Sequence, residues 1–457
     1  MKLKSFFIFS LVFCILFSSI PMNKASAISY SIDFDINSKS VYLVNLDTGI
    51  SVYEKDKDKK CYPASTTKIM TYIIVTENIK DLDNTKVTVK QSILNRLNGT
   101  GSSTAGLIGG ETLTVTQLLN CLMIPSGTAK QLLYAMLLPS GNDAALILAD
   151  YVGGGSITNF VKMMNKKAKE LGCENTHFMN PHGLHDPDHY TTASDLAKIT
   201  EYAMTLPKFT EITSTTVSDC LGEDRPLITT NSLIDEVRGG DYFYKYATGT
   251  KTGCTGDDSG YCLVSTAVYE GYSYLCVTLG ADYSKNGEQL ENGAMKDAKN
   301  LFRWAFTSLQ LTTVIDEKTI VDEVNINFAW GKDRLKLSPA TSYSTILPSD
   351  IKASSIDKVY HLPESVNAPV KAGDKIGTVT LKYANNELAT VDLVAAETID
   401  QSDLLVAMDG IGKVVSNPWF IVCASLLVLL VIIYIIILTI YSKRCRNRRK
   451  VKTYRRM

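Results

Sequence analysis

Apolar residues are distributed in four distinct ways along these 457 residues. At the start, Phe6–Ile20 is a short apolar run preceded by Lys2 and Lys4 and followed by Ala25-Ser26-Ala27. A charged start, an apolar middle and a small-residue stop describe a secretory leader, so residues 1–27 are expected to be removed on export. Cys14 follows Phe13 inside that run, where a lipoprotein signal wants a small residue, so a lipid anchor there is not expected. From residue 28 to 310, strand and helix periods alternate. Val41–Leu46 reads as a strand ending at the turn Asp47-Thr48-Gly49, and Ile69–Ile79 as a buried helix. Ser156–Leu171 is an amphipathic helix stopped by Gly172. Tyr261–Tyr269 and Tyr274–Leu279 form a hairpin around Gly271, and a last helix runs from Gly293 to Phe306. Strands at both ends with helices between them predict an α+β domain whose antiparallel sheet pairs its first and last segments. Residues 311–400 change to short β-rich stretches, Thr319–Phe328, Ile376–Leu381 and Thr390–Val394, with turns at Gly373-Asp374 and Ala384-Asn385-Asn386. They predict a small all-β domain. Residues 401–417 then form a linker. Trp419–Tyr441 carries no charge and is long enough to cross a bilayer as a helix, so a single C-terminal transmembrane helix is expected over 418–441.

Charge gives the span a direction. Lys443, Arg444, Arg446, Arg448, Arg449, Lys450, Lys452, Arg455 and Arg456 follow it, which predicts a cytoplasmic tail over 442–457. The formal balance of 47 basic and 47 acidic residues conceals an asymmetry. Three basic residues lie in the leader and nine in the tail, leaving 35 against 47 acidic ones between, a net of −12. An exported part so acidic is a poor partner for a polyanion, so nucleic acid is excluded. Ten cysteines include Cys14, Cys423 and Cys445 in the leader, span and tail. The remaining seven, Cys61, Cys121, Cys173, Cys220, Cys254, Cys262 and Cys276, form no disulfide framework and read as small hydrophobes.

Three short motifs carry the chemistry: Ser65-Thr66-Thr67-Lys68, Ser140-Gly141-Asn142 and Lys251-Thr252-Gly253. Pro63 fits a helix start, which puts Ser65 in the first turn with Lys68 on the same face. A serine hydroxyl needs a base, and a lysine is one only when neutral, which requires burial and a nearby cation such as Lys251. A second Ser-x-x-Lys, Ser355 to Lys358, is followed by Pro363 and cannot continue as a long helix. Thr114–Gly127 (TVTQLLNCLMIPSG) and Thr128–Gly141 (TAKQLLYAMLLPSG) are a tandem duplication of a short helix ending in Pro-Ser-Gly. Only the second copy runs into Asn142-Asp143, which selects Ser140 and Asn142 over Ser126 and Thr128. On an edge strand, Lys251 and Thr252 can hold a carboxylate, and Gly253 admits a close ligand. The amides of Cys254 and Ser65 can then form an oxyanion hole. His182, His185 and His189, with Asp186 and Asp188, have the composition of a metal site. Their prolines and glycine prevent a single helix, so the stretch reads as a loop shaping the site, with no metal and no cofactor.

Pro63–Thr71 (PASTTKIMT), Leu138–Ala145 (LPSGNDAA), Asn180–Leu184 (NPHGL) and Lys251-Thr252-Gly253 together resemble the serine-type D-alanyl-D-alanine carboxypeptidases, the low-molecular-weight penicillin-binding proteins. Ala368–Gly377 (APVKAGDKIG) is similar to that family's C-terminal β-domain. The resemblance implies the penicillin-binding, β-lactamase-like transpeptidase fold. It also implies removal of the terminal D-alanine from peptidoglycan stem pentapeptides, and acylation by β-lactams. It makes Ser65 the nucleophile, Lys68 the proton acceptor and Ser140 the relay, with Asn142, Lys251 and Thr252 holding substrate. The chain departs from the family in its duplication. It departs again in its anchor, since many members end in an amphipathic helix lying on the membrane. Two other functions share part of the motif set. A β-lactamase would need a water-placing Glu-x-x-Leu-Asn, which is missing. A β-lactam sensor would need a cytoplasmic output domain, which sixteen residues after Tyr441 cannot form.

Overall fold

Strand β1 (Ser40–Asn45) is an interior strand of a five-stranded sheet, second from one edge, although it comes near the start of the chain. The computed structural model describes residues 30–82, 85–110, 112–114, 132–219, 221, 224–383 and 386–454. The leader, residues 115–127 of the first copy of the duplication with Cys121 and Ser126, and Thr128 and Cys220 lie outside the described residues. Contacts divide the chain into two units. One holds the chain to Thr313 together with Ser344–Ser355, and the other holds Val314–Tyr343 together with the chain from Ile356.

In the first unit the sheet order is β2 (Ser51–Lys55), β1, β5 (Tyr272–Ala281), β4 (Tyr261–Tyr269), β3 (Ala247–Cys254), all antiparallel. Ser40 pairs with Leu279 and Asn45 with Tyr274, so the first and last segments meet as expected. The β4–β5 hairpin turns through Glu270 and Gly271, both at positive φ (48° and 83°). Such a turn matches the right-handed twist of its strands. Alternation along the strands feeds two cores. Val41, Leu43, Leu263 and Cys276 face helix α6 (Gly293–Ser308), which buries Ala294, Ala298, Leu301, Phe302 and Ala305. Val44, Cys262, Val264, Leu275 and Val277 face the other helices. At the centre of that second core, α1 (Lys68–Asn78) buries every residue from Lys68 to Val75. Around it pack α2 (Leu132–Leu137), α3 (Asn142–Val152), α4 (Ile157–Glu170) and α5 (Ala193–Met204). Helix α4 starts where Ser156 caps the amide of Asn159 and ends before Gly172 at φ +71°, close to its predicted limits.

In the second unit a six-stranded sheet runs β8 (Asp357–His361), β10 (Lys375–Tyr383), β11 (Asn386–Ala395), β7 (Arg334–Pro339), β6 (Asp322–Asn327), β9 (Ser365–Asn367). All neighbours are antiparallel except β6 and β9. Its core is Val324, Ile326, Leu335, Leu337, Val370 and Ala395. The stretch expected to be only a linker differs: it carries helix α7 (Asp403–Val415), started by the Ser402 hydroxyl accepting from the amide of Leu405. Leu404, Met408, Ile411 and Val415 recur at helical spacing on an exposed stripe, while Asp409 and Lys413 pair at 2.5 Å. The two glycines in this segment, Gly410 and Gly412, obscured the helix in the sequence. Helix α8 (Pro418–Tyr454) follows, and 27 of its residues, Pro418–Arg444, are apolar enough to cross a membrane. At 1.5 Å per residue they reach about 40 Å, more than the roughly 30 Å hydrocarbon core.

Candidate active site

The nucleophile candidate stands on a tightened turn. Ala64–Thr67 is one 3₁₀ turn that runs into α1 at Lys68, so the α-helix starts three residues later than Ser65. In 3₁₀ geometry residues i and i+3 eclipse one another. The Lys68 ammonium nitrogen accordingly lies 2.8 Å from the Ser65 hydroxyl. Ala64 adopts φ +48°, a left-handed conformation that costs a residue with a Cβ about 1 kcal/mol or more. Two glycines close on this turn. A methyl group at Gly183 would stand 1.9 Å from the Ala64 carbonyl oxygen, and one at Gly253 would stand 3.1 Å from the Ser65 amide nitrogen. Only hydrogen at both positions lets the histidine loop and strand β3 press on the turn from either side.

Lys68 is the hub. It is fully buried, and its Nζ donates to Asn142 Oδ1 at 2.6 Å and to the His182 carbonyl at 2.8 Å, with Ser140 Oγ at 3.4 Å. Ser140, like Ala64, is left-handed, at φ +63°. Asn142 is 3% exposed and spends its carbonyl on Lys68. Burial holds Lys68 well below the usual lysine pKa, and the Lys251 ammonium pushes it lower. Lys251, also buried, is brought down to about 7 by burial. It lies on edge strand β3, where its Nζ donates to the Thr252 carbonyl at 3.0 Å. The hydroxyls of Thr252 and Thr230 are 2.5 Å apart. The motif serines, lysines, asparagine and glycine are thus brought together. Cys254 ends β3 with an exposed thiol. The decoy is not assembled this way, because Ser355 closes a short 3₁₀ turn and Lys358 lies exposed on β8.

Sequence reading missed several supports. Asp143, in the first turn of α3, accepts from the amides of Ala105 (2.9 Å) and Leu107 (3.1 Å). The amide of Asn142 donates to the Ser103 carbonyl at 2.9 Å, so the 103–107 loop is tied beside Ser140. Thr230 gave no motif signal, being placed by its amide on the Leu138 carbonyl.

The histidines do not converge. Among the described residues no three histidine, cysteine or carboxylate groups gather as a metal ion needs. The amide of Met179 donates to His189 Nδ1, so the Nε2 proton points at the Thr67 hydroxyl, 2.8 Å away. The amide of Leu184 donates to His182 Nδ1, and His185 meets Tyr62 edge-on. Burial lowers the His182 pKa to about 3, helped by Lys68, and that of His189 to about 4. Unfolded, both imidazoles take a proton near pH 6.5. Below that value the unfolded state binds more protons, so stability is full above about pH 6.5 and falls toward pH 4 and 3. The urea midpoint should therefore drop between pH 7 and 5, and less so in His189→Gln. Equal drops would remove the histidine explanation.

The family model described as D-alanyl-D-alanine carboxypeptidase matches residues 24–129 and 128–283, and that of the C-terminal domain of penicillin-binding protein 5 matches 310–401. The first match is split where the two copies of the duplication join. D-alanyl-D-alanine carboxypeptidase DacF of Bacillus subtilis is 30% identical over 372 residues, 80% of this chain and 87% of its own length. Penicillin binding protein 5 from Haemophilus influenzae superimposes with a TM-score of 0.60 at 25% identity, covering 81% of this chain and 100% of that one. The Streptomyces K15 DD-transpeptidase does so with a TM-score of 0.50 at 30% identity, covering 60% and 99%. With a family match over more than half its length and a relative of that identity aligned along most of it, this chain belongs to the D-alanyl-D-alanine carboxypeptidase family of serine peptidases, the low-molecular-weight penicillin-binding proteins.

Proposed function

We propose that this protein is a serine D-alanyl-D-alanine carboxypeptidase that trims peptidoglycan stem pentapeptides and is acylated by β-lactams. The observation that carries the reading is a buried, charge-depleted Lys68 within 2.8 Å of the Ser65 hydroxyl. Ser65 Oγ attacks the carbonyl of the penultimate D-alanine while Lys68 Nζ takes its proton. The tetrahedral oxyanion is held by the Ser65 and Cys254 amides. As the peptide bond breaks, the proton passes through the Ser140 hydroxyl to the departing D-alanine amine. Water then hydrolyses the ester and frees Ser65. Lys251, Thr252 and Thr230 bind the terminal carboxylate. The backbone at Gly253 lies close against the nucleophile's turn, and Asn142 positions Lys68. A β-lactam carbonyl acylates the same serine.

The reading of the two copies has its own test. Ser140→Ala should slow acylation about a hundredfold or more, in the range of lost acid–base catalysis. Ser126→Ala should change little. Equal losses would show that both copies serve the site.

Topology follows from charge. The acidic part between leader and span works outside the membrane, and the basic tail stays in the cytoplasm. Protease added to wall-stripped cells should release a penicillin-binding ectodomain. Incubated with a peptide ending in D-Ala-D-Ala, that ectodomain should free D-alanine. Cleavage of the tail in intact cells would reverse the topology, and no D-alanine release would sink the activity.

A further inference from the structure

A groove of about 330 Å³ opens where the main sheet ends below the nucleophile's turn. Lys39 precedes β1, Gly280 is the last residue but one of β5, and Asp258 and Ser259 lie in the turn between β3 and β4. The opposite wall is Lys59, Lys60 and Tyr62, the segment that leads directly into Pro63 and Ser65, with Tyr190 beside it. Three lysines face one carboxylate, Asp258, in an exported region whose net charge is −12. Lys39 is paired with Asp282 at 2.9 Å, and Lys59 stands 3.9 Å from Asp56. Lys60 has no carboxylate partner among the described residues, and its ammonium lies 4.0 Å from the centre of the Tyr190 ring. The turn forming the other wall is held, because the Thr255 amide donates to Ser259 Oγ at 2.8 Å.

We infer that this groove is a subsite for a carboxylate borne by the stem peptide upstream of its D-alanyl-D-alanine end. The inference rests on the carboxypeptidase reading. Under that reading the terminal carboxylate sits at Lys251 and Thr252, and the scissile carbonyl between Ser65 and Cys254. The order of those residues along β3 carries the rest of the peptide past Cys254, toward the turn holding Asp258 and Ser259 and the lysines across from it. An anionic group arriving there meets Lys60 first, with Lys59 beside it. A compact β-lactam, which ends near Cys254, does not extend that far.

The test uses two peptides ending in D-Ala-D-Ala that differ only upstream, one with a free side-chain carboxylate and one with the carboxamide. Full-length protein in detergent is assayed for D-alanine release, and fluorescent-penicillin labelling of each variant reports an intact Ser65 site. The unaltered enzyme should favour the acid in kcat/KM by about three- to tenfold, as one or two partly exposed charge-assisted contacts allow. The Lys59→Gln, Lys60→Gln double variant should lose that preference, and Lys60→Arg should keep it. D-alanine release at equal rates from both peptides, or a preference that survives the double variant, overturns this inference alone. Release from neither peptide overturns the carboxypeptidase reading and this inference with it.

Discussion

Replacing Ser65 by alanine is expected to abolish both D-alanine release and labelling by a fluorescent penicillin. Among the described residues no other hydroxyl has the same neighbours. Ser65 combines the 3₁₀ turn, the amides at the start of α1 and a lysine nitrogen at 2.8 Å. Ser140 Oγ also faces Lys68, but at 3.4 Å. Removing a nucleophile from a triad-like set costs on the order of a millionfold in kcat, which is below detection in a labelling gel. Ser355→Ala provides the contrast. Its Ser-x-x-Lys spacing is identical, yet Lys358 sits on a strand, so labelling should be unchanged. Labelling that persists in Ser65→Ala would dismantle the assignment.

Lys68→Met should cut acylation by about 10²–10⁴ at neutral pH, the usual size of a lost general base, while leaving the apolar stem of the side chain in the core. The pH profile separates this role from simple structural support. The neutral amine is the working form, so acylation by the unaltered enzyme should fall as pH drops through the lowered Lys68 pKa. In Lys68→Met that limb should disappear along with the rate. In Lys251→Gln the like charge that helps lower Lys68 is gone, so the limb should move to higher pH. A limb that stays in place in Lys251→Gln would show that burial alone depresses Lys68.

Much of the fold was legible because it depends on local periods. The alternation in Val41–Leu46, the largely apolar stretch after Lys68, and the cap signals at Ser156 and Gly172 name their elements without reference to anything distant. The pairing of the first strand with the last was also open to argument, since a sheet with helices inserted in its middle must close on its ends. Helix α7 was not legible. Its two glycines argue against helix locally, and its exposed stripe of Leu404, Met408, Ile411 and Val415 competes with the much stronger signal of the span that follows.

The sequence by itself determined which residues bear chemistry: three motifs, one of them chosen from a duplicated pair because Asn142-Asp143 follows only the second Ser-Gly. It also determined the asymmetry of charge about the span, because both properties are carried by residue type and order. Only the tertiary structure decided what those residues do to one another. Lys68 and Lys251 are 183 positions apart, and the Lys251 ammonium helps lower the Lys68 pKa only because the fold buries both side chains close to one another. Asn142 turned out to hold Lys68, a fact of distance rather than of motif. Gly183 and Gly253 matter because backbone from two remote segments comes within a methyl group's reach of Pro63, Ala64 and Ser65. The three histidines, close in sequence, are spent separately: His182 Nδ1 accepts from the Leu184 amide, His189 bonds the Met179 amide and the distant Thr67 hydroxyl, and His185 packs on Tyr62.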